Sequence, residues 1–273
     1  MKEAKFSGNL TPEGVKTTIQ TKGQPQLANL LRSCNGEQKY LLDKIVVNNN
    51  LTIIYKRFAV SVENAGLTKE SATQLLARHG LERDSPAVDL AKLLSGDVFE
   101  QIAYLHLNNE LGKQNYRVIN PAKTARVFKE WREKIIDDKE RFGVMPDGIV
   151  VEIARGKTYV IGFSEYTLSP HIALIERDQL KKLQNVIGFL FEDDNRWVFL
   201  KSLKDSRPEG WPEKFGFRRP ADLKIFYVIP KDRFLPPTLA KDLVVAIRVP
   251  FTWSELDGIT KTLAGDYFEV EIK

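Results

Sequence analysis

The chain has 273 residues, 42% of them hydrophobic and 28% charged, a globular balance that excludes disordered, collagenous and coiled-coil proteins. Lys and Arg number 41 against 36 Asp and Glu, giving a formal net charge of +5, which fits a polyanionic partner without establishing one. No apolar run reaches the ~18 residues that a membrane-spanning helix needs.

Residues 1–90 read as mostly helical. Leu27, Leu30 and Leu31 suit a helix after the turn-like Lys22-Gly23-Gln24-Pro25, and Leu51, Ile54, Tyr55, Phe58 and Val62 fall on one helical face that Gly66 ends. A further helix follows from Thr68 to Gly80. Residues 95–111 form the strongest single helix, with Ser95 as N-cap and Val98, Phe99, Ile102 and Leu105 as its apolar stripe. Tyr116–Ile119 is a short strand, and Pro121 opens a helix carrying Val127, Phe128, Trp131 and Ile135.

From residue 146 the apolar period becomes two. Ile149–Ile153 and Thr158–Phe163 flank Ala154-Arg155-Gly156-Lys157, a hairpin signal. A helix is expected from Ser169-Pro170 to about Asn185, then strands at Val186–Phe191, Trp197–Leu200, Leu223–Ile229 and Leu243–Val249. A helix around Ser254–Leu263 and a last strand at Tyr267–Ile272 close the chain. The class is therefore α+β or mixed α/β, with a helical region at 1–90 and a core at 91–273.

The hairpin carries the chemistry. Two carboxylates at one sheet end provide the hard oxygen donors that Mg²⁺ takes, and a metal-bound water can attack a phosphodiester. Alternation puts Asp147, Ile149 and Val151 on one face of their strand, and Glu165 and Thr167 on one face of theirs. The two acids meet only if the pairing numbers sum to an even value, which an odd-length turn or a bulge provides. The simpler alternative makes Asp147 a turn residue of Pro-Asp-Gly and Glu165 an exposed strand-end carboxylate.

Pro146-Asp147 followed by Glu165-Tyr166-Thr167, after the acidic helix Gly96-Asp97-Val98-Phe99-Glu100, resembles the PD-(D/E)XK nuclease superfamily over roughly residues 93–200. The resemblance implies a restriction-endonuclease-like core with a central mixed sheet flanked by helices. It also implies a Mg²⁺ ion on Asp147 and Glu165, Glu100 as a third acid, and a homodimer that cuts both strands of double-stranded DNA. Thr167 departs from the family, whose lysine at this position supplies charge. Either Lys181 or Lys182 on the following helix replaces that charge, or metal ions act alone, or the domain only binds.

Two further features address DNA. Residues 58–75 look like a helix-turn-helix in which Lys69, Ser71, Thr73 and Gln74 face a major groove, with an ordinary pair of packed helices as the alternative. In the loop Lys201–Arg219, Arg218 and Arg219 belong to a cation-rich run interleaved with Trp211, Phe215 and Phe217, suited to gripping phosphates, or else to pinning a solvated loop. His79, His106 and His171 lack ligand-like spacing for zinc, and no phosphate-binding glycine loop is present, so no nucleotide cofactor is expected.

The start Met1-Lys2-Glu3-Ala4-Lys5 has no apolar signal core. The single cysteine, Cys34, excludes an internal disulfide and a thiolate cluster. A cytoplasmic protein without membrane association is expected. The functional expectation is a Mg²⁺-dependent DNA endonuclease of restriction or mobile-element type, with a catalytically inactive DNA-binding module or a protein–protein interaction scaffold as rivals.

Overall fold

The computed structural model of the chain describes residues 30–34, 36–47, 54, 57, 60–64, 66–68, 86–135, 145–168, 172–192, 195–235 and 243–269. The chain divides into two compact units, one formed by residues 1–102 and 250–273, the other by residues 103–249.

In the first unit, α1 (Gly36–Val47) buries Leu41, Leu42 and Ile45. Gln38 Nε2 donates to the Pro250 carbonyl at 2.8 Å. The helical stretch that includes residues 60–64 ends as expected at Gly66, where Gly66 N–H reaches Glu63 O at 2.9 Å and Leu67 N–H reaches Val62 O at 3.1 Å, a Schellman closure. Helix α2 (Pro86–Gly112) begins nine residues before the expected cap, so Ser95 lies inside it. Only its first part, to Ile102, belongs to this unit. At the chain's end, α6 (Trp253–Glu269) opens on a capping box. Glu255 N–H donates to Thr252 Oγ1 at 3.1 Å and Thr252 N–H donates back to Glu255 Oε2 at 2.6 Å. This helix continues through Tyr267–Glu269, so the strand expected from Tyr267 does not begin there.

The second unit is mixed α/β around a mixed six-stranded sheet. Its elements after α2 are β1 (Tyr116–Ile119), α3 (Pro121–Ile135), β2 (Gly148–Ala154), β3 (Lys157–Tyr166), α4 (Ile172–Leu190), α5 (Asn195–Asp205), β4 (Lys214–Phe217), β5 (Lys224–Pro230) and β6 (Val244–Val249). The order is β1-β2-β3-β5-β6, antiparallel from β1 to β3 and parallel from β3 to β6. β5 is almost wholly buried, as a parallel strand inside a sheet is. Ile149, Val151, Val160 and Phe163 of the hairpin pack against Val127, Phe128 and Trp131 of α3, Val186 and Leu190 of α4, and Phe199, Leu200 and Leu203 of α5.

Two expected strands are helical. Val186–Phe191 continues α4, because Leu183, Val186 and Leu190 extend the inward helical spacing past Asn185. Trp197–Leu200 belongs to α5, whose buried residues Phe199, Leu200 and Leu203 again follow a helical period. Short apolar runs of this kind are ambiguous between the two structures. The expected Lys201–Arg219 loop contains the end of α5 and the strand β4.

The hairpin turn is a two-residue one, with φ of 49° at Arg155 and 68° at Gly156, the left-handed pair of a type I′ turn. Val151 pairs with Val160 but Val150 pairs with Gly162, so Ile161 is an inserted residue. On the other edge of β3, the same place separates two parallel neighbours: β4 pairs with Lys157–Val160, and β5 with Gly162–Tyr166. Gly162 admits this exchange, since a Cβ there would lie 2.1 Å from the Lys224 carbonyl oxygen. Among the described residues, no helix is long and apolar enough to cross a membrane.

Gly162→Ala forces β5 away from β3 and is expected to lower stability by about 2–4 kcal/mol, the scale of overpacking joined to a broken ladder hydrogen bond. Chemical denaturation of the variant measures this. A change under about 0.5 kcal/mol, the scale of a neutral surface substitution, would show that the two strands do not approach so closely.

Candidate active site

Asp147 stands one residue before β2, and its backbone N–H donates to Ser164 O at 2.9 Å. Its side chain turns to the same strand, where Oδ2 accepts the Tyr166 N–H at 2.7 Å. Asp147 thus holds the backbone on both sides of Glu165. The Ile161 bulge gives even pairing from Val150 with Gly162 to Gly148 with Ser164. Asp147 lies just outside the strand, and its N–H joins Gly148 in facing Ser164.

Glu165 is buried, at 7% exposure, and is aligned with Tyr227 of β5. Thr167 is equally buried, and its N–H donates to Val228 O at 3.1 Å, extending the contact between β3 and β5 beyond the end of the strand. The arrangement offers two carboxylates and no soft donor. That set fits Mg²⁺, which binds through one or two carboxylates and keeps several waters. Among the described residues, no group of three or more His, Cys, Asp or Glu gathers in a way that could hold a metal ion.

Glu100 lies in the first unit, on α2. Arg57 Nη1 binds it at 2.8 Å and binds Asp97 at 2.9 Å, and Gln101 Nε2 donates to Glu100 Oε1 at 3.2 Å. Burial raises the pKa of both carboxyl groups above the usual range, and Arg57 offsets this only in part. Lys182 falls on α4 with its side chain outside the described residues, and Lys181 is exposed on the same helix. Lys69, Thr73 and Gln74 lie outside the described residues.

Arg218 is held by protein. Its Nε and Nη2 both donate to Glu152 Oε2, the first at 2.9 Å, and the guanidinium lies 4.4 Å from the Tyr159 ring centre. Arg219 is well exposed and pairs with Asp222 at 2.9 Å. Sequence reasoning missed the Tyr166 N–H that fixes Asp147. It allowed for a bulge without placing it, and the trace of the place is a glycine inside a β-branched run. Compared with known proteins, the chain matches no family model, no curated protein and no solved structure.

The Arg57 cluster gives a pH-dependent expectation. A carboxyl group with a raised folded-state pKa contributes stability fully below its unfolded value, here 3.8 for Asp97 and 4.5 for Glu100. That contribution is lost as pH rises through the folded value. Arg57→Met removes the opposing charge, raises both groups further, and should cost about 1–2 kcal/mol at pH 7 after allowance for Arg57's partial exposure. Denaturation between pH 4 and pH 7 should show the cost shrinking toward the acid end. An equal cost at every pH would mean that Arg57 acts through packing alone.

Proposed function

We propose that the chain is a DNA-binding protein carrying a Mg²⁺-dependent endonuclease centre on Asp147 and Glu165, built on a restriction-endonuclease-like core. The observation that carries this reading is the pair of contacts that ties Asp147 to the backbone on both sides of Glu165, its N–H on Ser164 O and its Oδ2 on the Tyr166 N–H. Further support comes from the order of the sheet, an antiparallel β1-β2-β3 followed by a helical crossover to parallel β5. In this reading Asp147 and Glu165 hold the ion, which supplies an ionised water and neutralises charge on the leaving oxygen. Asp147 is kept in position by the Tyr166 N–H. Two copies of the chain, one per strand, account for double-strand cutting.

Thr167 favours a second reading, a catalytically silent DNA-binding module. A buried threonine at the family's lysine position orients water but adds no positive charge to the pentavalent phosphate.

A plasmid-nicking time course in Mg²⁺ and Mn²⁺ separates the two. Asp147→Asn keeps an acceptor for the Tyr166 N–H and Glu165→Gln keeps the side-chain shape, so both should fold. Each should slow nicking by about 10²–10³-fold, the scale of losing an oriented electrostatic partner. Nicking that survives Asp147→Asn at wild-type rate removes the proposed centre. Duplex binding in EDTA with no cleavage in either metal selects the silent module, and absence of binding at low salt selects a protein–protein interaction scaffold.

A further inference from the structure

The net charge of this chain is concentrated in one place. Helix α3 carries five cations (Lys123, Arg126, Lys129, Arg132 and Lys134) against Glu130 and Glu133, and α5 carries Arg196, Lys201 and Lys204 against Asp205. Together the two helices hold a net +5 in 15 and 11 residues, equal to the formal charge of the whole chain, so the remainder is formally neutral.

The helices are neighbours. Trp131 Nε1 donates to Asn195 O at 3.1 Å, Lys134 Nζ donates to Ser202 Oγ at 3.3 Å, and the Phe128 and Trp131 rings pack on Phe199. Their apolar sides are consumed in that packing, which leaves the charged sides outward. Arg126, Lys129, Lys134, Arg196, Lys201 and Lys204 are exposed; Arg126 pairs with Glu130 at 2.8 Å and Lys129 with Glu133 at 4.0 Å along α3, surface pairs that a phosphate can displace. Lys123, Arg126, Lys129 and Arg132 recur every third residue along α3.

A cavity of about 440 Å³ opens beside this row, lined by Ala125, Arg126, Lys129, Arg132, Glu133 and Met145. Met145 is two residues before Asp147, so the cationic row and the acid pair are joined by one short piece of chain. Trp197, 58% exposed with the Arg196 guanidinium 5.0 Å from its ring centre, adds a flat surface at the start of α5.

We infer that the outer surface of α3 and α5 is the phosphate-binding face of this protein, and that its partner is a nucleic-acid duplex running past Met145 toward Asp147. This rests on the DNA-binding part of the reading above and not on its chemistry. Cations at regular spacing suit a backbone of regularly spaced phosphates, and such contacts position without reading sequence. An anionic membrane fits less well, since an interfacial helix offers an apolar face to lipid and the apolar faces of α3 and α5 are spent on the core.

The test is binding of a short labelled duplex in EDTA across a salt titration. It compares the wild type with a variant carrying Arg126→Gln, Lys129→Gln, Lys201→Gln and Lys204→Gln. A control carries Lys39→Gln, Lys113→Gln, Lys157→Gln and Lys214→Gln, exposed lysines elsewhere. Thermal melts confirm that both variants fold, as exposed substitutions should. The first variant should lose about tenfold or more in affinity at low salt. Its salt slope should fall by about three to four units, near 0.9 for each phosphate left without its cation. The control should keep most of both.

Equal losses in the two variants would overturn the inference in favour of diffuse charge attraction. It also fails if the first variant keeps wild-type affinity and slope, or if it loses binding only to phosphatidylserine vesicles. A first variant that loses the duplex while the wild type never cleaves removes the nuclease reading and leaves this face standing. A wild type that cleaves while the first variant binds normally does the reverse.

Discussion

One inserted residue in the β2–β3 ladder sets the register of the hairpin at the place where the sheet changes its connectivity. Side chains alternate along a strand, so a one-residue shift moves everything beyond it to the opposite face. Near the turn, Val151 pairs with Val160. Continued unchanged, that register would pair Gly148 with Phe163 instead of Ser164. The bulge at Ile161 restores even pairing before the strand ends. At the same position β3 changes its neighbour from β4 to β5, and Gly162 lets the Lys224 carbonyl approach where any side chain would block it. A strand that must serve two partners on one edge needs a local break in its pleat.

Much of the fold is written locally. The hairpin is legible in its alternation and its Arg-Gly turn, β5 and β6 in their β-branched runs, and α3 in Pro121 at its first turn. Sequence reasoning fails where composition and period disagree. Val186–Phe191 and Trp197–Leu200 have the residues of strands but the inward spacing of helices, and burial against the sheet decides in favour of spacing. The site is legible only as a pair of candidates. The register of the hairpin that carries them depends on the pairing of β3 with three other strands, a long-range condition that Gly162 marks but does not explain.

The chemistry of the acids differs in kind across the chain. Asp147 accepts a backbone N–H, which orients a carboxylate and leaves its charge in place. Glu100 shares an arginine with Asp97, and a carboxylate whose charge is already offset by a guanidinium has less attraction to give a cation. A metal at Glu100 would have to compete with Arg57, whose Nη1 binds Glu100 and Asp97 together. The proposed centre therefore rests on Asp147 and Glu165, which the β2–β3 hairpin holds together through Ser164 O and the Tyr166 N–H. Thr167 leaves the third element of such a centre, a positive charge at the phosphate, to the metal or to a side chain from outside β3.

The distribution of charge matters more here than its total. A net of +5 spread evenly over 273 residues would be screened beyond roughly 8 Å at physiological ionic strength, and no phosphate would meet more than one or two cations. The cations of α3 and α5 sit on two helices in direct contact, so a polyanion lying across the pair meets several of them. Arg218, by contrast, is tied to Glu152 and stacked on Tyr159, and its charge is largely used inside the sheet. A cation-rich stretch of sequence is therefore a poor guide to a binding face until the ion pairs are known. In this protein Arg218 is tied into the sheet, whereas α3 and α5 keep a formal excess of five cations at the surface even with Arg126 paired to Glu130 and Lys129 to Glu133.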